Sequence, residues 1–278
     1  MSEVASRQEI IRSLFDSSGR GLEIGAGFSP LLPKRDGYRV EIVDHASAQE
    51  LRDKYANEPS IDPSLFEEVD YIWDGRPLTE LVGAKNCYDF IVASHLIEHI
   101  PDMLGFLKGC EGLLTPTGAL VLAVPDKRRC FDVLRPLSTT GGVLQAHLER
   151  RSRHIPATAF DEVAYSMKLN GNPAWTEGIK GELSQAHDLE FAQAVFDRSA
   201  GSDEYFDFHA WVFTPNSFRL IVHELNVLGA LGLREVHFRP MSNHEFFVTL
   251  SKTGKGCSLD RLSLVRCIAE ELREFPVI

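Results

Sequence analysis

The chain has 278 residues, of which 44% are hydrophobic and 25% are charged, and it carries a net charge of -11 at pH 7. This composition is typical of a globular protein, and the length allows one large domain or one domain with a sizeable insertion. The acidic balance argues against a nucleic-acid partner, and we find neither an apolar run of membrane-spanning length nor a signal peptide.

The first part of the chain alternates between strand and helix patterns. An amphipathic helix is predicted over residues 5–15, followed by a short apolar strand that ends at Gly25. Further strands are predicted at 38–43, 69–73, 88–94 and 119–124, with helices at 46–55 and 103–114. This alternation predicts a Rossmann-like, doubly wound α/β sheet.

The alternation stops after residue 127. Residues 127–208 show no strand pattern and suggest several short helices, and the α/β pattern resumes with a helix that begins at Thr214. Strands at 233–238 and 245–250 follow with only a short loop between them, so we predict an antiparallel hairpin that closes the sheet. A last helix, over 259–272, is predicted to serve packing or to form a homodimer contact.

These patterns divide the chain into four parts. We expect a cofactor-binding core at 1–127, a helical insertion at 128–208 that covers the substrate, the completion of the core at 209–252, and a C-terminal helix at 253–278.

The glycine turn after the first strand is the first candidate ligand site. Gly25 and Gly27 permit a tight turn and close approach of a ligand to the backbone. A dinucleotide fingerprint would need a small residue at the position of Pro30 and a helix directly after the turn. The pattern therefore disfavours NAD and suits a ligand without phosphate, such as S-adenosylmethionine.

Two carboxylates follow the next strands. Asp44 ends the second strand, where it could accept both hydrogen bonds of a ribose diol, although a solvated aspartate at a strand end is the alternative. Asp74 ends the third strand, where it could accept from an adenine amino group beside Trp73, or it could simply belong to an Asp-Gly turn.

Three ionisable groups crowd the end of the fourth strand. His95 and His99 are four positions apart, and histidine is the natural general base near neutral pH. The alternative is that Glu98 and His99 brace the loop while only backbone atoms contact the ligand, and for Glu98 we favour this bracing role.

Together these residues resemble the class I S-adenosylmethionine-dependent methyltransferases, in particular the type 11 domain group. The matching segments cover residues about 5–127 and 209–252, and they are Leu22–Gly27, Val43–Asp44, Asp74, Asp89–Val92, His95–Ile100, Gly118–Pro125 and Phe213–Phe218. The resemblance implies a seven-stranded sheet with the last strand antiparallel. It also implies a cofactor site made of Glu23, Gly25, Ala26, Gly27, Asp44, His45, Asp74, Ser94, His95 and Leu96.

Within that site, the resemblance implies a position for each part of S-adenosylmethionine. Glu23 and the two glycines would line the methionine part, Asp44 would hold the ribose and Asp74 the adenine. The segment from Ser94 to Leu96 would pass beneath the sulfonium.

The methyl acceptor is less defined than the cofactor. Residues 33–45 resemble a subgroup associated with bacterial glycan and cell-surface polysaccharide clusters, so we expect O-methylation of a sugar or glycan hydroxyl. A small-molecule N- or C-methyltransferase and a non-catalytic, methyltransferase-like binding protein are the alternatives.

A hydroxyl acceptor needs a base that removes its proton. The candidates are His95, His99 and His209, and for His209 a packed loop residue is the alternative. We predict no metal site, because His147, His154, His187, Asp188 and His209 lack tight ligand spacing. The five cysteines are scattered and odd in number, which favours a reduced, cytoplasmic chain.

Overall fold

The computed structural model describes residues 6–59, 61–176, 179–240 and 243–273. The strands in this part of the chain are β1 (Gly21–Ile24), β2 (Val40–Asp44), β3 (Tyr71–Ile72), β4 (Tyr88–Ser94), β5 (Leu114–Pro125), β6 (Met167–Leu169), β7 (Leu183–Gln185), β8 (Arg234–Pro240) and β9 (Glu245–Ser251). The α-helices are α1 (Arg7–Arg12), α2 (Ala48–Lys54), α3 (Leu78–Val82), α4 (Met103–Leu113), α5 (Thr140–Glu149), α6 (Pro156–Tyr165), α7 (Leu189–Ala200), α8 (Pro215–Val227) and α9 (Arg261–Arg273).

Seven of the described strands form one sheet in the order β3-β2-β1-β4-β5-β9-β8. The pairs from β3 to β5 are parallel, whereas β9 pairs antiparallel with both β5 and β8. This confirms the predicted doubly wound sheet with its last strand antiparallel. The hairpin forms because the loop between β8 and β9 is too short for the crossover that a parallel pair needs.

Both faces of the central strands are covered, and alternate side chains of each strand face opposite cores. Leu22, Ile91 and Leu122 belong to the larger core, which α4 and α8 cover. Phe90 and Val121 belong to the second core, under α1 and the loop that follows the glycine turn. The long apolar run of β4 reflects this double burial.

The insertion is mostly helical but also contains strands. β6 and β7 pair antiparallel as a small separate sheet, so the prediction that residues 127–208 hold no strand was wrong. Each strand has only three residues, which is too short for an alternating pattern to stand out in the sequence. The pair is stabilised by a small local core that includes Val133 and Trp175.

The C-terminal helix α9 packs against α8. The Glu271 carboxylate accepts from the side-chain amide of Asn216 at 2.7 Å, and Arg261 pairs with Glu224 at 2.5 Å. The packing role predicted for this helix is therefore observed, whereas the homodimer contact remains a prediction. In the described part of the chain no helix is both long and apolar enough to cross a membrane.

Candidate active site

The glycine turn after β1 is open on its outer side. Gly25 and Gly27 have φ angles of +75° and +51°, in the left-handed region that favours glycine. A Cβ atom at Gly27 would meet nothing within 4 Å, and one at Gly25 would lie 3.4 Å from the Leu96 side chain. Ala26, between the glycines, is buried. The turn therefore leaves the room that a ligand needs to lie against the backbone, with Leu96 as a neighbouring wall.

No α-helix begins at the turn, whose surroundings lie within the described residues. Residues 28–33 form turns and bends, and a three-residue 3-10 helix follows at Lys34–Asp36. A pyrophosphate is best held by the N–H groups of a helix that starts directly after the turn. This local structure agrees with the expectation that Pro30 disfavours a dinucleotide.

Glu23 is buried beneath the turn and holds the loop that follows it. Its two carboxylate oxygens accept the backbone N–H groups of Leu31 and Leu32 at 2.6 Å and 3.0 Å. Burial raises the pKa of Glu23 to about 7, although these two hydrogen bonds act in the opposite direction. Glu23 thus fixes the wall of the turn, and its direct contact with the methionine part stays a prediction.

Asp44 connects the end of β2 to the glycine turn. Its Oδ2 accepts the Gly27 N–H at 3.2 Å, while its Oδ1 accepts the backbone N–H of His45 at 2.8 Å and lies 2.7 Å from the Nδ1 of the same residue. A carboxylate has about four acceptor positions, so three are already used. A ribose diol could bind both oxygens only after the His45 ring, which is 59% exposed, swings away.

Asp74 lies at the same edge of the sheet, because the Trp73 N–H donates to the Asp44 carbonyl at 2.8 Å. Its carboxylate is about half exposed and pairs with Arg76. The hydrogen bonds from Arg76 lower the pKa of Asp74 to about 2. The Trp73 ring lies 6.1 Å from that of Phe106, and its Nε1–H donates to the carbonyl of Arg76 at 2.7 Å. The adenine contact of Asp74 stays a prediction.

Ser94 and His95, at the end of β4, contact a group that the sequence did not indicate. Nε2 of His95 lies 3.1 Å from the buried Glu245 carboxylate, and Arg7 donates to that carboxylate at 2.7 Å and to Ser94 Oγ at 2.6 Å. Burial raises the pKa of Glu245, but the hydrogen bonds from His95 and Arg7 outweigh it and hold that pKa at about 2. The ring centroid of His244 lies 5.5 Å from that of His95. The imidazole of His95 therefore pairs with Glu245, and it does not pack against His99 and His209, the other two candidate bases.

His99 and His209 lie together, with their ring centroids 4.5 Å apart and edge to face. Glu98 lies beside them, fully buried, and both of its carboxylate oxygens lack a hydrogen-bond partner. The carbonyl of Glu98 accepts the N–H groups of Ala210 and Trp211 at 2.6 Å and 3.1 Å, which holds the returning segment against the end of β4. We call Glu98, His99 and His209 the carboxylate–histidine cluster.

A carboxylate backs each histidine of the cluster. Nδ1 of His99 donates to Asp207 at 2.9 Å, and Nδ1 of His209 donates to the buried Asp132 at 2.5 Å. Since an ionised carboxylate only accepts, each Nδ1 carries the proton and each Nε2 is left for another partner. Arg135 fixes the second pair, donating to Asp132 at 2.7 Å and to the His209 carbonyl at 2.8 Å.

The same contacts determine how these groups titrate. Burial lowers the pKa of His99, but the hydrogen bond that His99 donates to Asp207 and the charge of Glu98 outweigh this effect, so the net pKa is raised. Burial raises the pKa of Asp132, but the hydrogen bonds and charges of His209 and Arg135 outweigh burial and lower the net pKa. Asp132 is therefore anionic at neutral pH.

The remaining histidines of the insertion do not join the cluster. His147 pairs with Asp102 at 2.9 Å, and His187 stacks on Phe191. His154 lies at the edge, with its Nε2 3.2 Å from the Tyr205 hydroxyl, which in turn lies 3.2 Å from Asp207. Of the histidines considered in the sequence, the structure therefore brings together His99 and His209.

Several contributors were not predicted: Arg7, Asp132, Arg135, Asp207, His244 and Glu245. Their signals in the sequence are isolated charged residues in segments far apart along the chain. Asp207 alone stood close to a candidate, two positions before His209. The bracing role expected for Glu98 is observed for its carbonyl, but its buried carboxylate has no such explanation.

Comparisons with known proteins bear on the family. A family model described as a methyltransferase domain matches residues 4–171. A search of curated proteins gives no match.

Solved structures with a similar fold include three that we compare here. The CcbJ methyltransferase from Streptomyces caelestis is 16% identical, with 87% of this chain and 86% of that chain covered and a TM-score of 0.44. The PH0226 protein from Pyrococcus horikoshii OT3 is 15% identical, with 87% and 85% covered and a TM-score of 0.43. The 1,6-didemethyltoxoflavin-N1-methyltransferase from Burkholderia thailandensis, solved with S-adenosylhomocysteine, is 14% identical, with 88% and 76% covered and a TM-score of 0.45. At these values the likenesses transfer neither a substrate nor a site residue to this chain.

The matched family model spans more than half of the chain, and the sheet order and the open glycine turn described above agree with it. The protein is therefore a member of the methyltransferase domain family, a class I methyltransferase whose cofactor is S-adenosylmethionine.

Proposed function

We propose that this methyltransferase methylates a hydroxyl group of a sugar or glycan-like acceptor. The observation that carries the proposal is the pair of carboxylate-backed histidines, His99 with Asp207 and His209 with Asp132, at the end of β4. An amine is nucleophilic once it is neutral, whereas a hydroxyl needs help in losing its proton. One half-buried and one buried imidazole, each with a free Nε2 atom, supply the chemistry that a hydroxyl acceptor requires.

The cofactor, when bound, supplies an electrophilic methyl group. The glycine turn, with Leu96 beside it, would hold its methionine part, and Asp44 and Asp74 would hold the ribose and the adenine. Because displacement at a methyl group depends on alignment, the main task of the chain is to fix the two reactants in line. The carboxylate–histidine cluster would then take the acceptor proton at an imidazole Nε2.

The raised pKa of His99 supports a role in proton transfer. Asp207 stabilises the protonated imidazole that would form when His99 accepts a proton. His209 has the same arrangement with Asp132 but is more deeply buried, with a side chain 10% exposed against 26% for His99. His99 therefore faces the solvent side, and His209 lies behind it.

The proposed role of residues 128–208 as a substrate cover is supported by what this segment brings to the site. Asp132 and Arg135 come from its beginning, and Glu162 of α6 accepts the backbone N–H of His209. The sugar class is supported by the resemblance of residues 33–45 to chains from bacterial glycan clusters. From that resemblance we infer that the acceptor of this enzyme is a sugar or a glycan.

The test combines binding and transfer. Isothermal titration calorimetry with S-adenosylhomocysteine should show one site per chain, and NAD should not bind. Transfer of a labelled methyl group should then be measured on matched acceptors, a panel of sugars and their amino-sugar counterparts, with the product bond identified by mass spectrometry. O-methyl products support the proposal, whereas methylation of the amino sugars alone would replace it with N-methyl transfer. Absence of S-adenosylhomocysteine binding would overturn it altogether.

A further inference from the structure

We propose that Glu98, His99 and His209 together bind one divalent transition-metal ion, for which Zn²⁺ is the best match. The sequence predicted no metal site, because His147, His154, His187, Asp188 and His209 lack tight ligand spacing, and Glu98 and His99 were not among those candidates. The fold brings Glu98, His99 and His209 together, so that one ligand atom from each lies within 4.8 Å of the others. Two imidazoles and one carboxylate form a donor set that Zn²⁺ and related ions prefer, whereas Mg²⁺ and Ca²⁺ prefer oxygen ligands.

The hydrogen bonds around the cluster orient it for a cation. Both Nδ1 atoms are occupied, by Asp207 at 2.9 Å and by Asp132 at 2.5 Å, so both Nε2 atoms are free to ligate. Histidines that ligate metals almost always donate their other N–H to a carboxylate or carbonyl in this way. The two carboxylates are themselves held, Asp132 by Arg135 and Asp207 by the Tyr205 hydroxyl.

Glu98 provides the second, independent observation. Its carboxylate is fully buried and neither oxygen has a hydrogen-bond partner, which is costly for a group that is charged in water. Nδ1 of His95 and Nε2 of His99 lie 3.7 Å and 3.9 Å from its Oε1, both beyond hydrogen-bond distance. An ion between Glu98 and the two Nε2 atoms would satisfy the buried carboxylate.

The dimensions of the cluster suit a metal after a small closure. Ligand atoms that bind one Zn²⁺ at about 2.1 Å lie roughly 3 to 4 Å apart. The separation of 3.9 Å between Glu98 Oε1 and His99 Nε2 falls in this range, and the 4.8 Å limit of the cluster exceeds it by less than about 1 Å. Small rotations of the imidazoles would therefore complete the coordination.

Three protein ligands leave an open coordination position, which is the mark of a site that binds an exchangeable oxygen rather than a structural site. The open side would be that of His99, the most exposed of the three side chains. Resting on the proposed function, we infer that this position takes the acceptor hydroxyl, whose pKa the ion would lower so that its proton passes to solvent water. With the ion bound, the two Nε2 atoms would serve as ligands, and the ion would replace them as the group that activates the hydroxyl. Metal binding itself does not depend on that function.

The test uses the full chain, stripped of metal with a chelator and then dialysed against Zn²⁺. Inductively coupled plasma mass spectrometry should find one zinc per chain, and Co²⁺ in its place should give visible d–d absorption. Glu98→Gln, His99→Ala and His209→Ala should each lose the stoichiometric ion, and Asp207→Asn should weaken binding about 10- to 100-fold. His147→Ala is the matched control, since His147 also donates to an aspartate but lies outside the cluster.

Calorimetry with S-adenosylhomocysteine on the same samples separates the two proposals and shows that each variant is folded. A wild-type chain that binds S-adenosylhomocysteine but holds no zinc overturns the metal site and leaves the methyl transfer intact. A chain that holds zinc but does not bind S-adenosylhomocysteine overturns the proposed methyl transfer and leaves the metal site intact. If the three cluster variants fold and retain zinc as His147→Ala does, the ligand assignment is wrong.

Discussion

At the glycine turn, the groups that contact one another come from elements that follow closely along the chain: β1, the loop after it, and the end of β2. The carboxylate–histidine cluster instead joins the end of β4 to residues on the far side of the insertion, with Asp132 reaching His209 across that whole segment. The turn relies on backbone N–H groups and two carboxylates. The cluster relies on buried ionisable side chains that support one another.

In the proposed function, where the turn holds the cofactor and the cluster serves the acceptor, this difference follows from what each half of the site must do. A cofactor shared by a whole family can be held by a local turn, because the turn geometry is fixed by glycine and by neighbouring strands. An acceptor differs from enzyme to enzyme, so its site is assembled from loops and insertions on the same scaffold. The two halves should therefore respond differently to substitution.

The largest expected effect comes from the cluster. His209→Ala should lower kcat by about 10² to 10⁴, whether His209 acts as a base or as a metal ligand, and should leave S-adenosylhomocysteine binding unchanged. Steady-state transfer assays and calorimetry on the same preparation would measure both quantities. His147→Ala serves again as the matched control, with kcat expected at the wild-type level. Full activity in His209→Ala would remove this residue from the reaction.

The sequence was informative where function depends on neighbouring residues. The bounds of β4 match the prediction, and the N–H groups of Gly25 and Gly27 donate to Val43 and Asp44 at the end of β2. These features could be predicted because strand and turn patterns depend on nearby residues. His99 and His209 were both named as candidates and lie side by side. Nothing in the sequence, however, paired them with each other rather than with His95.

What the sequence could not show depends on long-range packing. His95 has a φ of +48° and its imidazole meets Glu245 of β9, a partner that the order of the strands alone decides. The burial of Glu98 without a hydrogen-bond partner, and the support of His209 by Asp132, likewise arise only when the insertion folds against the sheet. Isolated charged residues carry no periodic signal that would have found them.

On the cofactor side, Glu23 allows a test by pH. Its folded-state pKa is raised from 4.5 to about 7, so between these values the folded chain holds a proton that the unfolded chain has released. Stability should therefore fall as pH rises from 4.5 to 7, by about 3 kcal/mol from this group alone, and then level off.

Glu23→Gln lacks this titration and isolates the contribution. Urea unfolding of both proteins across the range should show the wild type losing about 3 kcal/mol more than the variant, since all other groups titrate in both. Parallel stability curves would mean that Glu23 is already ionised at pH 4.5 and that its two backbone hydrogen bonds outweigh its burial.

The smallest effects should distinguish the two aspartates of the cofactor half. Asp44 is buried and ties the turn to β2, so Asp44→Ala should weaken S-adenosylhomocysteine binding by about 10- to 100-fold through the loss of charged hydrogen bonds. Asp74 is exposed and already paired with Arg76, so Asp74→Ala should cost only about two- to threefold.

Asp44→Asn separates the two tasks of Asp44, because an amide keeps one acceptor for the Gly27 N–H but no longer offers two to a diol. If this variant binds S-adenosylhomocysteine like the wild type, Asp44 holds the turn and not the ribose. If it binds like Asp44→Ala, the carboxylate itself contacts the ligand, and the His45 ring must move aside to allow it. If Asp74→Ala weakens S-adenosylhomocysteine binding more than Asp44→Ala does, the expected order is wrong. The exposed Asp74 would then contribute more to the affinity than the buried Asp44.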